Sequence, residues 1–269
     1  MMRRIKGRKM MRAFMAVLLI AAAPVAAQPA AMASAPATAA PGGYAASESL
    51  LALLRLLPPP PEAGSSEAQA DKYLYRQSRR GIGGATWQGA ISQLSVTSPG
   101  FVKAVSCALG AALTPQTTPA TMTLLRRAGT DLSRAVFAAK DYYKRPRPFT
   151  TDKNGKRGGK ACDPDAAIDG GKALGFAYPS GHAAAGWLWG LILSDARPHR
   201  SAVLLKFGKT TGDLRIACRV HWASDVAGGR VLATALYQQI ADSADYKADL
   251  AKAKAELSLA PVPEGCPVG

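Results

Sequence analysis

The stretch TPATMTLLRRAGTDLSRAVFAAKDYYKRPRPF, residues 118–149, decides the fold. Thr118-Pro119 reads as a helix start, with proline in the first turn where its missing N–H costs nothing. The helix is expected to run to about Tyr143, where Pro146 and Pro148 stop it. Upstream, residues 67–80, 86–95 and 99–112 repeat apolar positions every three to four residues, the spacing of amphipathic helices. Downstream, Ser180 caps a helix over 181–196, Pro198 opens another, and long helices are expected over 221–240 and 244–258. Alternating strand patterns are nearly absent. The chain reads as an all-α, single-domain helical bundle.

The flanks are organised differently. Residues 1–12 carry six cations and no acid, and residues 13–27 (AFMAVLLIAAAPVAA) are apolar and end in small side chains. That core is too short to span a bilayer and reads as an exported signal peptide, residues 1–27. Residues 28–46 are rich in Ala, Pro, Ser and Thr and are expected to form a disordered leader. The domain then runs over 47–269. It opens with a short apolar helix, Leu50–Leu57, and a stiff spacer, Pro58 to Pro61. Residues 149–178 show little periodicity and read as a long loop, a form that is usually functional or disordered.

Losing the signal's six cations takes the net charge from +16 to +10. Such a surface favours solubility and anionic substrates. Nucleic acid is not expected, because few aromatics interleave with the basic residues. The four cysteines, Cys107, Cys162, Cys218 and Cys266, would form disulfides after export. Their three pairings stay open, and none has the C-x-x-C spacing of a zinc site.

Three short segments carry chemistry. Lys140 and Arg147 sit at and just past the end of the first helix. Ser180, Gly181 and His182 open the next apolar helix, where free N–H groups and the dipole favour an anion. Arg215 precedes His221 and Asp225, whose spacing of four would put them on one helix face. Three permanent cations suit a phosphate dianion. A histidine beside a carboxylate suits an oriented nucleophile, and a second histidine suits a leaving-group acid. A metal held by His182, His221 and Asp225 is the rival, which the three cations disfavour. Lys144 and Arg145 read as a basic helix terminus that complements the dipole. His199 reads as surface.

The pattern K-x6-RP … PSGH … R-x5-H-x3-D resembles the signature of the type-2 phosphatidic acid phosphatase superfamily. With LLPPPP, AKDYYKRPRPF, YPSGH and HWASDV, the chain looks most like the class A bacterial non-specific acid phosphatases. The resemblance covers about residues 50–258. It implies an all-α fold, a periplasmic location, no cofactor or metal, and broad hydrolysis of small phosphate monoesters at acid pH. It gives phosphate binding to Lys140, Arg147, Ser180, Gly181 and Arg215. His221 would be the nucleophile forming phosphohistidine, Asp225 its orienter, and His182 the acid. Leu214 stands where the family usually has serine. Stable membrane association after signal cleavage is not implied, and the oligomeric state is left open. A vanadium-dependent haloperoxidase, a lipid phosphatase and a secreted polyanion-binding protein are the alternatives.

Overall fold

A computed structural model describes residues 42–151 and 159–266. The expected signal peptide and residues 28–41 of the expected leader lie outside the described residues. Among the described residues, ten α-helices follow one another and no strand occurs. They are α1 (Ser47–Leu53), α2 (Ser66–Ser78), α3 (Ala85–Ser92), α4 (Pro99–Leu109), α5 (Pro119–Tyr143), α6 (Pro148–Thr151), α7 (Gly181–Ala196), α8 (Ser201–Ala217), α9 (Ala223–Ile240) and α10 (Ala244–Leu259). Their ends follow local chemistry. Ser65, Ser98, Ser180 and Ser243 cap α2, α4, α7 and α10 with side-chain oxygens. Gly110 ends α4 in the left-handed conformation.

The middle of the molecule is α7. Its sequence, GHAAAGWLWGLILSDA, is apolar nearly all round, so it can be stable only when enclosed. It packs against α8, α9, α5 and α10. The approach of α7 to α8 is set by small residues. A Cβ on Gly208 would lie 2.7 Å from the Gly186 carbonyl oxygen, and one on Gly190 would lie 2.9 Å from the Leu204 carbonyl oxygen. One apolar core runs from Tyr44 to Leu257, with Leu124, Leu188, Ile192, Leu232 and Leu236 fully buried in it.

The end of the expected leader is packed, not loose. Tyr44 and Ala45 are buried, and their N–H groups donate to Asp131 of α5 at 2.6 and 3.0 Å. Arg127 stacks on the Tyr44 ring, and the Tyr44 hydroxyl donates to Asp249 of α10. An aromatic ring and a buried carboxylate partner hold this segment, which low-complexity composition alone does not reveal.

The expected long loop is also more structured than its composition suggests. Residues Pro164–Leu174 form 3-10 turns interrupted at Asp169, Gly170 and Gly171, which take positive φ. Two disulfides close the structure, Cys107–Cys266 and Cys162–Cys218. The second fixes the start of this segment to the end of α8, beside a backbone bond from Cys162 N–H to the Cys218 carbonyl.

Candidate active site

Lys140, Arg147, Gly181, His182, Arg215 and His221 line one cavity of about 650 Å³. Residues up to 81 positions apart in the chain therefore converge. Each arrives at or near a helix end. Lys140 comes from the last turn of α5, Gly181 and His182 from the first turn of α7, and Arg215 from the last turn of α8. His221 lies in the short link before α9.

The His221–Asp225 pair forms differently from the expectation. α9 begins at Ala223, so His221 lies outside the helix and the two do not share a helical face. Asp225 is the third helical residue. Its Oδ2 accepts from the Trp222 N–H at 2.8 Å, closing the helix start, and contacts His221 Nδ1 at 3.2 Å. One carboxylate oxygen thus caps the helix and orients the imidazole. With Nδ1–H donating to Asp225, Nε2 is left as the acceptor, and Arg147 Nη1 meets it at 3.2 Å.

Asp225 is held from behind by residues that sequence reasoning missed. Arg145 Nη1 donates to Asp225 Oδ1 at 2.5 Å, and its Nη2 to Asp71 of α2 at 2.8 Å. Asp71 in turn accepts from the Ser224 N–H at 2.9 Å. Arg145 is therefore a buttress of the carboxylate, not a solvated helix terminus. The left-handed residue Lys144, which ends α5, turns the chain so that Arg145 points inward. The run KRPRP offers no sign of which arginine turns to the carboxylate.

The cations are fixed by backbone. Arg147 Nε and Nη1 donate to the carbonyls of Gly175 and Val220, each at 2.9 Å. The Lys140 ammonium donates to the Phe176 carbonyl. Arg215 pairs with Asp163 at 3.3 Å, a buried aspartate that also lines the cavity. Asp163 follows Cys162, and its only sequence sign is the Asp-Pro step that opens a helical turn. Arg215 Nε and Nη1 and His182 Nε2 are buried with no hydrogen-bond partner among the described residues. Buried donors without partners are costly and call for an acceptor. Ser180 is wholly buried behind this wall: its N–H donates to the Asp225 carbonyl at 3.0 Å and its hydroxyl caps α7. Leu214 turns away into a cluster with Trp87, Phe149 and Val220. His199 is exposed.

Burial, and after it the crowding of positive charge, depresses both histidines and Lys140. Burial, then Arg215, lowers His182 to about 3. Burial, then Arg147 and Lys140, places His221 well below its ordinary value. Burial and Arg147 lower Lys140 to about 7. The neighbouring carboxylate does not offset this, and Asp225 itself is raised to about 6 by burial, against the pull of Arg145. Both imidazoles are thus held neutral, and the site is primed to gain protons when a dianion enters.

No three His, Cys, Asp or Glu residues among those described come together as a metal cluster. The family model of the PAP2 superfamily matches residues 120–244 of the chain. A non-specific acid phosphatase of Salmonella typhimurium is 32% identical over 189 residues, covering 70% of this chain and 73% of the relative. An acid phosphatase of Zymomonas mobilis is 30% identical, covering 74% and 72%. A non-specific acid phosphatase of Providencia stuartii is 30% identical, covering 73% and 77%. The chain belongs to the PAP2 superfamily and, within it, to the non-specific acid phosphatases.

Proposed function

We propose that the protein is an acid phosphatase that hydrolyses small phosphate monoesters through a phosphohistidine. One observation carries the mechanism. Buried donors on Arg215 lack partners in the same cavity that holds His182, Lys140, Arg147 and His221. A phosphoryl group supplies the acceptor oxygens these donors need. Lys140, Arg147 and Arg215, with the N-terminus of α7 at Gly181, bind its oxygens and stabilise charge in the transition state, while Ser180 caps α7 from behind.

His221 Nε2 attacks phosphorus as Asp225 holds Nδ1–H. The N–P bond forms, the ester P–O bond breaks, and His182 gives its proton to the leaving oxygen. The dianion itself raises His182 enough to carry that proton. His182, now neutral, takes a proton from water, the resulting hydroxide attacks phosphorus, and phosphate leaves with His221 restored. The low pKa of the empty site's His221 keeps it nucleophilic in acid, which favours an acid optimum. A divalent cation among three fixed positive charges is disfavoured, so hydrolysis is expected to proceed with excess chelator. No helix among the described residues is long and apolar enough to cross a membrane. The basic, apolar start of the sequence favours export to the periplasm and release from the signal.

Rapid quench with labelled aryl phosphate, followed by peptide mapping, tests this. Label is expected on position 221 and absent from His221→Ala. In His182→Ala, label on 221 should persist, with alkyl esters losing far more activity than aryl esters. Label on His182, or activity lost to chelator and restored by a metal, would overturn the mechanism.

A further inference from the structure

A second cavity, of about 560 Å³, opens beside the anion cavity. Val96, Gly129, Ser133 and Trp189 line both, so the two spaces share a wall. α5 supplies most of that wall. Lys140, Val136, Ser133, Gly129 and Met122 recur at helical spacing along it. Gly129 precedes Lys140 by eleven residues, which places it about 16 Å down the helix axis. Beyond Gly129 the lining turns apolar, with Val102, Val105, Leu113, Met122 and Leu125. The more accessible side chains there, Thr97, Arg126 and Ser133, are polar.

Gly129 is itself unexplained by packing. It sits inside a 25-residue helix, where glycine weakens the helix relative to alanine. Its φ is not in the left-handed region, and a Cβ there would meet no atom within 4 Å. Neither backbone strain nor a close neighbour demands glycine. Gly129 lies on the wall that the two cavities share, and the space beside it is clear of other atoms.

We propose that the second cavity receives the long apolar alcohol of an alkyl phosphate monoester. The phosphate sits among Lys140, Arg147 and Arg215, and the chain runs along α5 toward Gly129 and into the second cavity. This extends the phosphatase reading of the anion site and rests on it. The continuity of the apolar lining with that site argues for a substrate tail over an independent partner.

Calorimetry of methylphosphonate and dodecylphosphonate, both non-hydrolysable and kept monomeric, tests the cavity apart from turnover. The dodecyl compound should bind more tightly by about tenfold or more, since one buried methylene is worth up to about fourfold. Gly129→Phe should cut the ratio of the two affinities to about threefold or less, and Ser133→Phe, on the same wall, does so if the first variant fails to fold. Equal affinities in the wild type, or a ratio that survives both variants, would overturn the proposal. So would self-association that dodecylphosphonate does not reverse, because a second copy would then own the cavity. Hydrolysis of ethyl, hexyl and dodecyl phosphates separates this inference from the one it rests on. Turnover of all three at one kcat/KM leaves the phosphatase reading standing and removes the tail site. Chain-dependent binding with no turnover of any ester removes the catalytic reading and keeps the tail site.

Discussion

Asp225 has its carboxyl pKa raised to about 6 by burial, and Arg145 is the strongest influence holding it down. Without that guanidinium the buried carboxylate loses a charged partner at 2.5 Å and moves further toward its protonated form. A protonated Asp225 no longer accepts well from His221 Nδ1. Arg145→Gln is therefore expected to lower kcat about 10- to 100-fold, the worth of a hydrogen bond to a charged group. KM should change little, because Arg145 does not line the cavity. The acid limb of the pH–rate profile should move to higher pH, since Asp225 must be ionised to serve. Arg145→Lys should restore part of the rate. A reduced rate with an unmoved pH profile would leave Arg145 a structural residue only. Six of the cavity's groups were legible in the sequence, because each lies in a segment with a distinctive spacing. Arg145, Asp71 and Asp163 were not legible. They act through partners 80, 153 and 52 positions away, and apart from the Asp-Pro step at Asp163 nothing local distinguishes them from solvated charge.

At the scale of elements, two contacts position the site, and each can be broken alone. The first is the α7–α8 crossing, which sets His182 against Arg215. Gly208→Ala would drive a methyl to 2.7 Å from the Gly186 carbonyl oxygen, a backbone atom with no rotamer to change. Overpacking of this kind costs about 1–3 kcal/mol and should lower both Tm and activity. The second is the Cys162–Cys218 disulfide, which fixes Asp163 near the end of α8 beside Arg215. Cys162→Ser/Cys218→Ser should cost about 2–4 kcal/mol of stability. It should also raise KM for aryl phosphate more than it lowers kcat, because Arg215 loses its anchored partner while His221 and Asp225 keep theirs. Reductant should lower the Tm of the wild type by more than that of this variant, since only the Cys107–Cys266 bond then remains to be cut. Sequence periodicity found nearly every helix because capping serines and prolines mark their starts. It misplaced the start of α9, where His221 and Trp222 carry no helix-breaking signal and the turn is made by the Asp225 side chain. It also read 149–178 as loop, because Asp169, Gly170 and Gly171 interrupt the turns of that segment.

For the molecule as a whole, the anion cavity is a store of unfavourable charge that the rest of the fold supports. His182 titrates near 3 in the folded chain, against an ordinary value of 6.5 for a solvated imidazole in the unfolded one. Between those values the unfolded chain binds the extra proton, so this group makes stability rise with pH from about 3 to 6.5. His221 acts in the same direction. Asp225, raised from 3.8 to about 6, acts in the opposite direction over its own window, because the folded chain there holds the proton. Two bases against one acid leave a net rise in stability from about pH 4 to 6.5. Lys140, lowered from 10.5 to about 7, adds a further rise above neutrality. A bound dianion returns these bases toward their ordinary values, so binding takes up protons and affinity falls as pH rises. Sulfate is the suitable probe, because its own charge is constant across this range. At a hundredfold excess over its Kd, an anion adds about 2.7 kcal/mol. For a chain of this size that is a Tm increase of about 5–10 °C. At one fixed sulfate concentration, the increase should be largest near about pH 4.5 and shrink steadily toward about pH 8. Calorimetry in buffers of different ionisation enthalpy should show net proton uptake on binding. A Tm increment that is constant or grows with pH would mean that the buried bases are not depressed as the geometry requires. The proton given to the leaving group would then have to be present before the substrate arrives.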